Sequence, residues 1–561
     1  MSQARDLADR FHERWLHANP FAATMYGIPG YDDLLPDSSE QGQQAWRAEA
    51  GRFLSEAAAI APGQLTPPDA ITLDCTTEAV AQELANIDMA QEEHTVTAMQ
   101  YTGPAAFLAV AARTVLVDPA AAEAYLTRLR RSGAWFDQLG ERLRIGASRG
   151  RLPIAPLAEQ AVSWAEKVLA APTASPVLLP RPPQGWPRVA EWEQERAAAA
   201  AEVVHPALAR WVAVVRELLP QARTSDRAGL VWLPGGEADY ARAIRSYTTL
   251  PLSAKDLHQT GLDHVAQLES RAVALGAGLG LSGLDAVFNA LRDSAGKLPP
   301  EEAVRQAVAA VRRAEERAAE FFPDPLPPPC EVTPMPEVVA VSGAAPHYTP
   351  PRLDGGRPGT FWFNTRRPTA GTGWDIEVVA FHEAVPGHHL QLSRLQLLTD
   401  LPALQRQRSL AVFSEGWGLY AEQLAEEVGL YADDRSLLGA ISTSLMRAVR
   451  LVVDTGIHAF GWSRERAVKY AVEHVPLPPE FMAAEIDRYV VMPGQALAYL
   501  TGKLEIERIR DEARTRLGPA FSLPAFHAAV LDQGSLPMPT LSRSIADWVD
   551  RTAPAPSEGT A

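Results

Sequence analysis

Phe381-His-Glu-Ala-Val-Pro-Gly-His-His-Leu-Gln391 places a His-Glu pair and a His-His pair within eight residues of chain. The path of this stretch decides what the surrounding elements must build. On a straight helix, at about 100° and 1.5 Å per residue, His388 would be turned roughly 240° from His382, and His389 would be realigned but about 10 Å further along. Neither ring could then share a small ligand with His382. Pro386 removes a backbone donor and collides with the preceding turn, and Gly387 is open to dihedrals closed to other residues, so the helix has to bulge or break there. Such a break can swing His388 back toward His382, with His389 as the alternative.

The stretch resembles the His-Glu-x-x-His helix of zinc proteases, in which two histidines hold the metal and the glutamate activates its water. The resemblance implies one zinc ion on His382 and His388. Gly387-His-His-Leu390 stands where Gly-His-x-Leu closes the motif in peptidases, with two residues inserted. The competing reading is a hydrogen-bonded histidine pair in an apolar core. An open zinc site needs a third protein ligand and a free position, and Glu415 in Phe413-Ser-Glu-Gly-Trp-Gly-Leu-Tyr-Ala-Glu422 is the candidate. It lies 33 residues past His382, enough chain for a helix, a loop and a return, and Asp400-Leu-Pro402 supplies a stop and restart. Gly416 and Gly418 would weaken an ordinary helix start and point to close approach of something bulky.

Further stretches carry a wider likeness: Arg357-Pro-Gly-Thr-Phe-Trp-Phe-Asn364, Arg450-Leu-Val-Val-Asp-Thr-Gly-Ile-His458 and Arg488-Tyr-Val-Val-Met-Pro-Gly-Gln-Ala-Leu-Ala-Tyr499, with Tyr101-Thr-Gly-Pro104 and Leu233-Pro-Gly-Gly236 as weaker echoes. In this order and spacing, with the two motifs above, they resemble the bacterial domain-of-unknown-function 885 family. That family looks in turn like the helical peptidases of the thermostable carboxypeptidase and oligopeptidase type. The resemblance implies a mainly α, zinc-peptidase-like fold with a cleft and a small β-sheet beside the active-site helix.

With 561 residues, 47% of them hydrophobic, the chain can bury a large core. Its net charge of −16 and lack of a long basic run argue against a nucleic-acid partner. Cys75 and Cys330 are far apart and suggest neither a disulfide framework nor a thiolate zinc site. The first eleven residues are amphipathic and charged, so no secretion signal or membrane span is expected and the cytoplasm is the expected location.

Helical periodicity covers 3–17, 40–60, 70–98, 105–115, 119–147, 189–218, 253–274, 283–293 and 300–321. Prolines make 171–188 a loop. Gly229-Leu-Val-Trp-Leu-Pro234 reads as a short strand, and 337–342 with 359–364 as a strand pair just ahead of the motif helix. An N-terminal helical region at 1–230, a catalytic region at 231–551 and a disordered tail at 552–561 are expected, the first two in one continuous unit.

The implied chemistry gives each group a task. Glu383 takes a proton from the attacking water and returns it to the leaving amine. Tyr499 is the expected oxyanion donor, and Tyr489 and Gln495 in the same stretch are candidate substrate contacts. Arg450, Asp454 and His458 recur every four residues and share a helix face. Arg450 and His458 are candidate substrate contacts, the former through a guanidinium–carboxylate pair; orienting a metal ligand from behind, or an ion-pair ladder between helices, are the alternatives. His347 and Tyr348, on the strand region bordering the motif, are further candidate contacts. The leading function is a zinc metallohydrolase acting on a small peptide or amide. A non-hydrolytic metal- or ligand-binding protein and a zinc enzyme working on non-peptide amides are the alternatives.

Overall fold

Ser2, Ser39, Thr66, Asp118 and Ser253 each stand one residue before a long helix and accept the amide of the residue three further on. Each such cap satisfies a donor the helix cannot. The computed structural model describes residues 2–61, 63, 65–335, 345–351, 358–365 and 373–553. It is mainly α, with one small sheet.

The described chain divides into two compact units, Met1–Arg242 with Ile457–Arg464, and Ala243–Gly456 with Glu465–Ala561.

In the first unit, Pro119–Ser148 and His205–Leu218 bury Trp135, Phe136, Leu139, Trp211 and Val215 in a common core. The helix expected at 189–218 runs through, but widens to a π-turn at Ala200–Val204. Pro206 explains it, since its ring collides with the carbonyl four residues earlier and the wider turn relieves the clash. The helix expected at 70–98 stops at Met89, where Ala90 takes a left-handed conformation at φ 46°. Ala155–Ala170 is a helix the periodicity had not singled out. The strand expected at 229–234 is a 3-10 turn, Leu230–Trp232. The Leu230 amide bonds to the His458 ring rather than to a neighbouring strand, and Leu233 N closes the turn on Leu230 O at 2.7 Å.

In the second unit, Ala411–Glu427 and Ala498–Leu517 pack backbone to backbone. A Cβ on Gly502 would fall 1.9 Å from the Val412 carbonyl, and one on Gly416 would fall 2.6 Å from Gly502. The sheet has order β1 (Glu331–Pro334), β3 (Thr360–Phe363), β2 (His347–Thr349). β1 runs parallel and β2 antiparallel to the central β3. The strand expected at 359–364 is that central strand, while its expected partner at 337–342 lies outside the described residues. Helix continues to Thr552, and 554–561 also lie outside. Val189–Gln221 and Asp434–His458 are each long and apolar enough to cross a membrane, with 56% and 67% of their apolar windows buried within the fold.

Candidate metal centre

The motif helix, Ile376–Glu383, stops at the proline and a second helix, His388–Leu397, starts immediately after it. The Val385–Pro386 peptide is cis. Two bonds hold the turn: the His389 amide donates to the Ala384 carbonyl at 3.1 Å, and Trp417 Nε1 to the Pro386 carbonyl at 3.0 Å. Gly387 is required by contact, because a Cβ there would lie 1.9 Å from the His382 carbonyl.

The turn brings His388 to His382, their ring centroids 4.8 Å apart and nearly perpendicular. Glu415 Oε2 lies 3.6 Å from His382 Nε2 and 3.7 Å from His388 Nε2. Ligand atoms around a tetrahedral zinc, at bond lengths of about 2.0–2.2 Å, stand about 3.3–3.6 Å apart, so Glu415 stands at ligand spacing from both imidazoles, and the three groups lie within 4.8 Å of one another. Gly418 completes the fit: a Cβ there would fall 2.5 Å from His382 Cε1. The close approach expected of the Gly416 and Gly418 positions is thus to a neighbouring helix and to a histidine ring.

His382 Nδ1 lies 2.8 Å from Glu422 Oε1. A carboxylate accepting the Nδ1 proton leaves the Nε2 lone pair for a cation and raises the ring's basicity. Arg447 stands behind, 3.7 Å from the same carboxylate. Glu422 was quoted in the sequence motif without a role. Its spacing of seven from Glu415, two turns along one helix face, was the available signal.

Burial alone would lower His382, but the Glu415 and Glu422 carboxylates outweigh it and push it up to about 10. Burial by itself raises Glu415 too, and the two imidazoles more than reverse this, leaving it well below the usual carboxylate range. Glu383 is raised, chiefly by burial and against the pull of His382 and His388. Three carboxylates facing two imidazoles favour a bound cation.

His389, the alternative ligand, is engaged elsewhere. Its Nδ1 meets the Tyr348 hydroxyl at 2.9 Å and its Nε2 the Pro328 carbonyl at 2.8 Å. Tyr348, a candidate substrate contact, therefore ties the sheet to the second motif helix, with Ser393 Oγ also 3.1 Å from its hydroxyl. His347 on the same strand is exposed. His458 is not brought to the cluster. It belongs to the first unit, where its ring accepts the Leu230 amide and lies against Tyr240, so position on the Arg450 face did not carry it to the site.

Arg450 and Tyr489 meet at Glu485, which the sequence had not pointed out, while Gln495 accepts from Arg488 and the Tyr499 ring lies against Arg450. Arg450 Nε donates to the Tyr489 hydroxyl at 2.9 Å and Nη2 to Glu485 at 3.0 Å. The Arg450 guanidinium stacks over the Tyr499 ring, 4.4 Å from its centroid. Burial raises Tyr499, helped by the charge of Glu415.

A helical chain with a His-His-Glu cluster, both imidazoles buried, and a carboxylate behind one histidine is the class this geometry defines. Residues 20–545 match the family described as "Bacterial protein of unknown function (DUF885)", and the chain belongs to it. Two solved structures are similar along nearly the whole chain. One, a "putative lipoprotein" from Colwellia psychrerythraea, is 26% identical with a TM-score of 0.87, covering 98% of this chain and 99% of that one. The other, a "putative lipoprotein of unknown function" from Shewanella oneidensis, is 16% identical with a TM-score of 0.75, covering 97% of this chain and 100% of that one, and speaks to the fold alone. No curated protein matches the chain.

Proposed function

We propose that the protein is a zinc-dependent hydrolase of peptide or other amide bonds, as the zinc-peptidase likeness of its motif suggests. The observation that carries the reading is the convergence of His382 Nε2, His388 Nε2 and Glu415 Oε2 within 4.8 Å of one another, with Glu422 behind His382. A zinc ion held there supplies an acidified water and polarises a carbonyl. Glu383, adjacent to His382 in the chain and raised by burial, takes a proton and delivers it to the leaving nitrogen. The Tyr499 hydroxyl, kept protonated by burial, donates to the oxygen that gains charge.

Hydrolysis of a panel of dipeptides and N-acylated amides by the zinc-loaded chain, beside Glu383→Gln, tests the proposal. Cleavage by the wild type, a drop of about 10²-fold or more in Glu383→Gln and an unchanged zinc content support it. A wild type that holds zinc and cleaves nothing would favour a binding protein on this fold. Cleavage restricted to non-peptide amides would favour the tailoring alternative.

A further inference from the structure

Glu422 also borders a cavity of about 50 Å³ that His382, His388 and Glu415 do not line. Four helices of the second unit enclose it: Ala254–Gly278, Ala411–Glu427, Asp434–His458 and Ala498–Leu517. On Ala411–Glu427, Glu415, Gly418 and Glu422 follow the stripe that meets the imidazole, while Leu419, Glu422 and Glu426 follow the neighbouring stripe that meets the cavity. One carboxylate thus joins two separate spaces.

The charges around this cavity are unevenly matched. Arg271 is paired with Glu426, and Glu422 accepts from His382. Lys503 Nζ meets Glu507 at 3.6 Å, which engages one of its three donors. Arg447 Nη1 donates to the Thr443 carbonyl at 3.1 Å and Nη2 stands 3.7 Å from Glu422, whereas Nε is buried with no partner among the described residues. A buried guanidinium with an unfilled donor is costly, and an anion within hydrogen-bonding reach removes the cost. At about 10–15 Å³ for each water-sized group, the space takes roughly three or four of them. That suits a tetrahedral oxyanion and is too small for a dipeptide.

We propose that the cavity binds a small inorganic oxyanion, sulfate or phosphate, on Arg447 and Lys503, and that the bound anion tightens the hold of His382 on zinc. Burial raises Glu422, and Arg447, ahead of His382 and Lys503, more than reverses this. Arg447 therefore competes with the His382 Nδ1 proton for the charge of one carboxylate. An anion that engages Arg447 returns that charge to Glu422, which makes the imidazole a better ligand through Nε2. The anion's own charge acts in the same direction, being opposite to that of zinc. By linkage, zinc tightens the anion by the same factor. The anion site rests on the cavity alone; its coupling rests on the metal centre proposed above.

Calorimetric titration of sodium sulfate into the full chain, metal-free and zinc-loaded, with sodium chloride holding the ionic strength, tests the site and its coupling. The expected result is one sulfate per chain in either form, bound at least about fivefold tighter when zinc is present. Zinc affinity, read by chelator competition, should rise by the same factor in sulfate. Arg447→Met should abolish sulfate binding. Ser444→Leu, which fills the cavity and leaves every charge in place, should abolish it as well, in a chain whose circular dichroism and zinc content match the wild type. No sulfate binding, binding that survives Ser444→Leu, or equal affinity in the two forms overturns the proposal. Zinc held without sulfate would leave the metal centre standing and remove the anion site. Sulfate held without zinc would do the reverse, and the coupling would fall with the metal centre.

Discussion

His382 and His388 are six residues apart, and one proline with one glycine makes them neighbours. The need for a break was legible because a straight helix could not pair them. Its direction was not, because it depends on the Trp417 bond to the Pro386 carbonyl and on backbone contact at Gly387. The competition between His388 and His389 was equally opaque, since what occupies His389 is the Pro328 carbonyl and the Tyr348 hydroxyl, both distant in sequence. Two substitutions follow from these contacts. Glu422→Ala removes the acceptor of the His382 Nδ1 proton and should weaken zinc binding about 10- to 100-fold, measured by competition with a chelator of known affinity; unchanged affinity would deny Glu422 its supporting role. His389→Ala should leave zinc content intact and lower stability by about 1–3 kcal/mol, because buried groups lose their partner. Denaturant titration with metal analysis on the same sample checks both halves.

At the level of elements, helices were the most readable part of the chain. Apolar spacing alone placed the starts of the helices that Ser39, Thr66 and Ser253 cap to within three residues. Failures came where tertiary contacts override local preference. Leu230–Trp232 has strand-like residues, but the His458 ring captures the amide that would start a ladder. The β1–β3 pair is joined across a segment whose pairing no local signal reveals. Glycines on Ala411–Glu427 show the override in the opposite sense. Gly418→Ala should favour an isolated helix by about 1 kcal/mol, yet its Cβ would meet His382 at 2.5 Å. The expected outcome is a folded protein with little zinc, read by circular dichroism beside metal analysis. Full zinc occupancy in Gly418→Ala would show that the ring can move aside without losing the ion.

Across the whole molecule, composition announced a large acidic helical protein, and the charge of −16 says nothing further about the site. Acid stability is a property that only the packed structure shows. His527 is fully buried between the Phe321 carbonyl, 2.6 Å from Nδ1, and the Tyr420 hydroxyl, 2.8 Å from Nε2, and burial pushes it down to about 3. Because the unfolded ring takes its proton near 6.5 and the folded one does not, its contribution is complete above 6.5 and is lost as pH falls from 6.5 toward 3. Between pH 7 and 5.5 the wild type should lose about 1 kcal/mol more stability than His527→Gln. Denaturation curves at the two pH values would expose an equal loss in both proteins, which would mean that His527 is solvated when folded.

The convergence of two imidazoles and a carboxylate on one cation is the central claim, and metal stoichiometry reaches it most directly. Elemental analysis of purified wild type, His382→Ala, His388→Ala, His389→Ala and Glu415→Ala after equilibration with zinc should find one ion per chain in the wild type and in His389→Ala, and a marked loss in the other three. A wild type without zinc, or full occupancy in all four variants, would contradict the account.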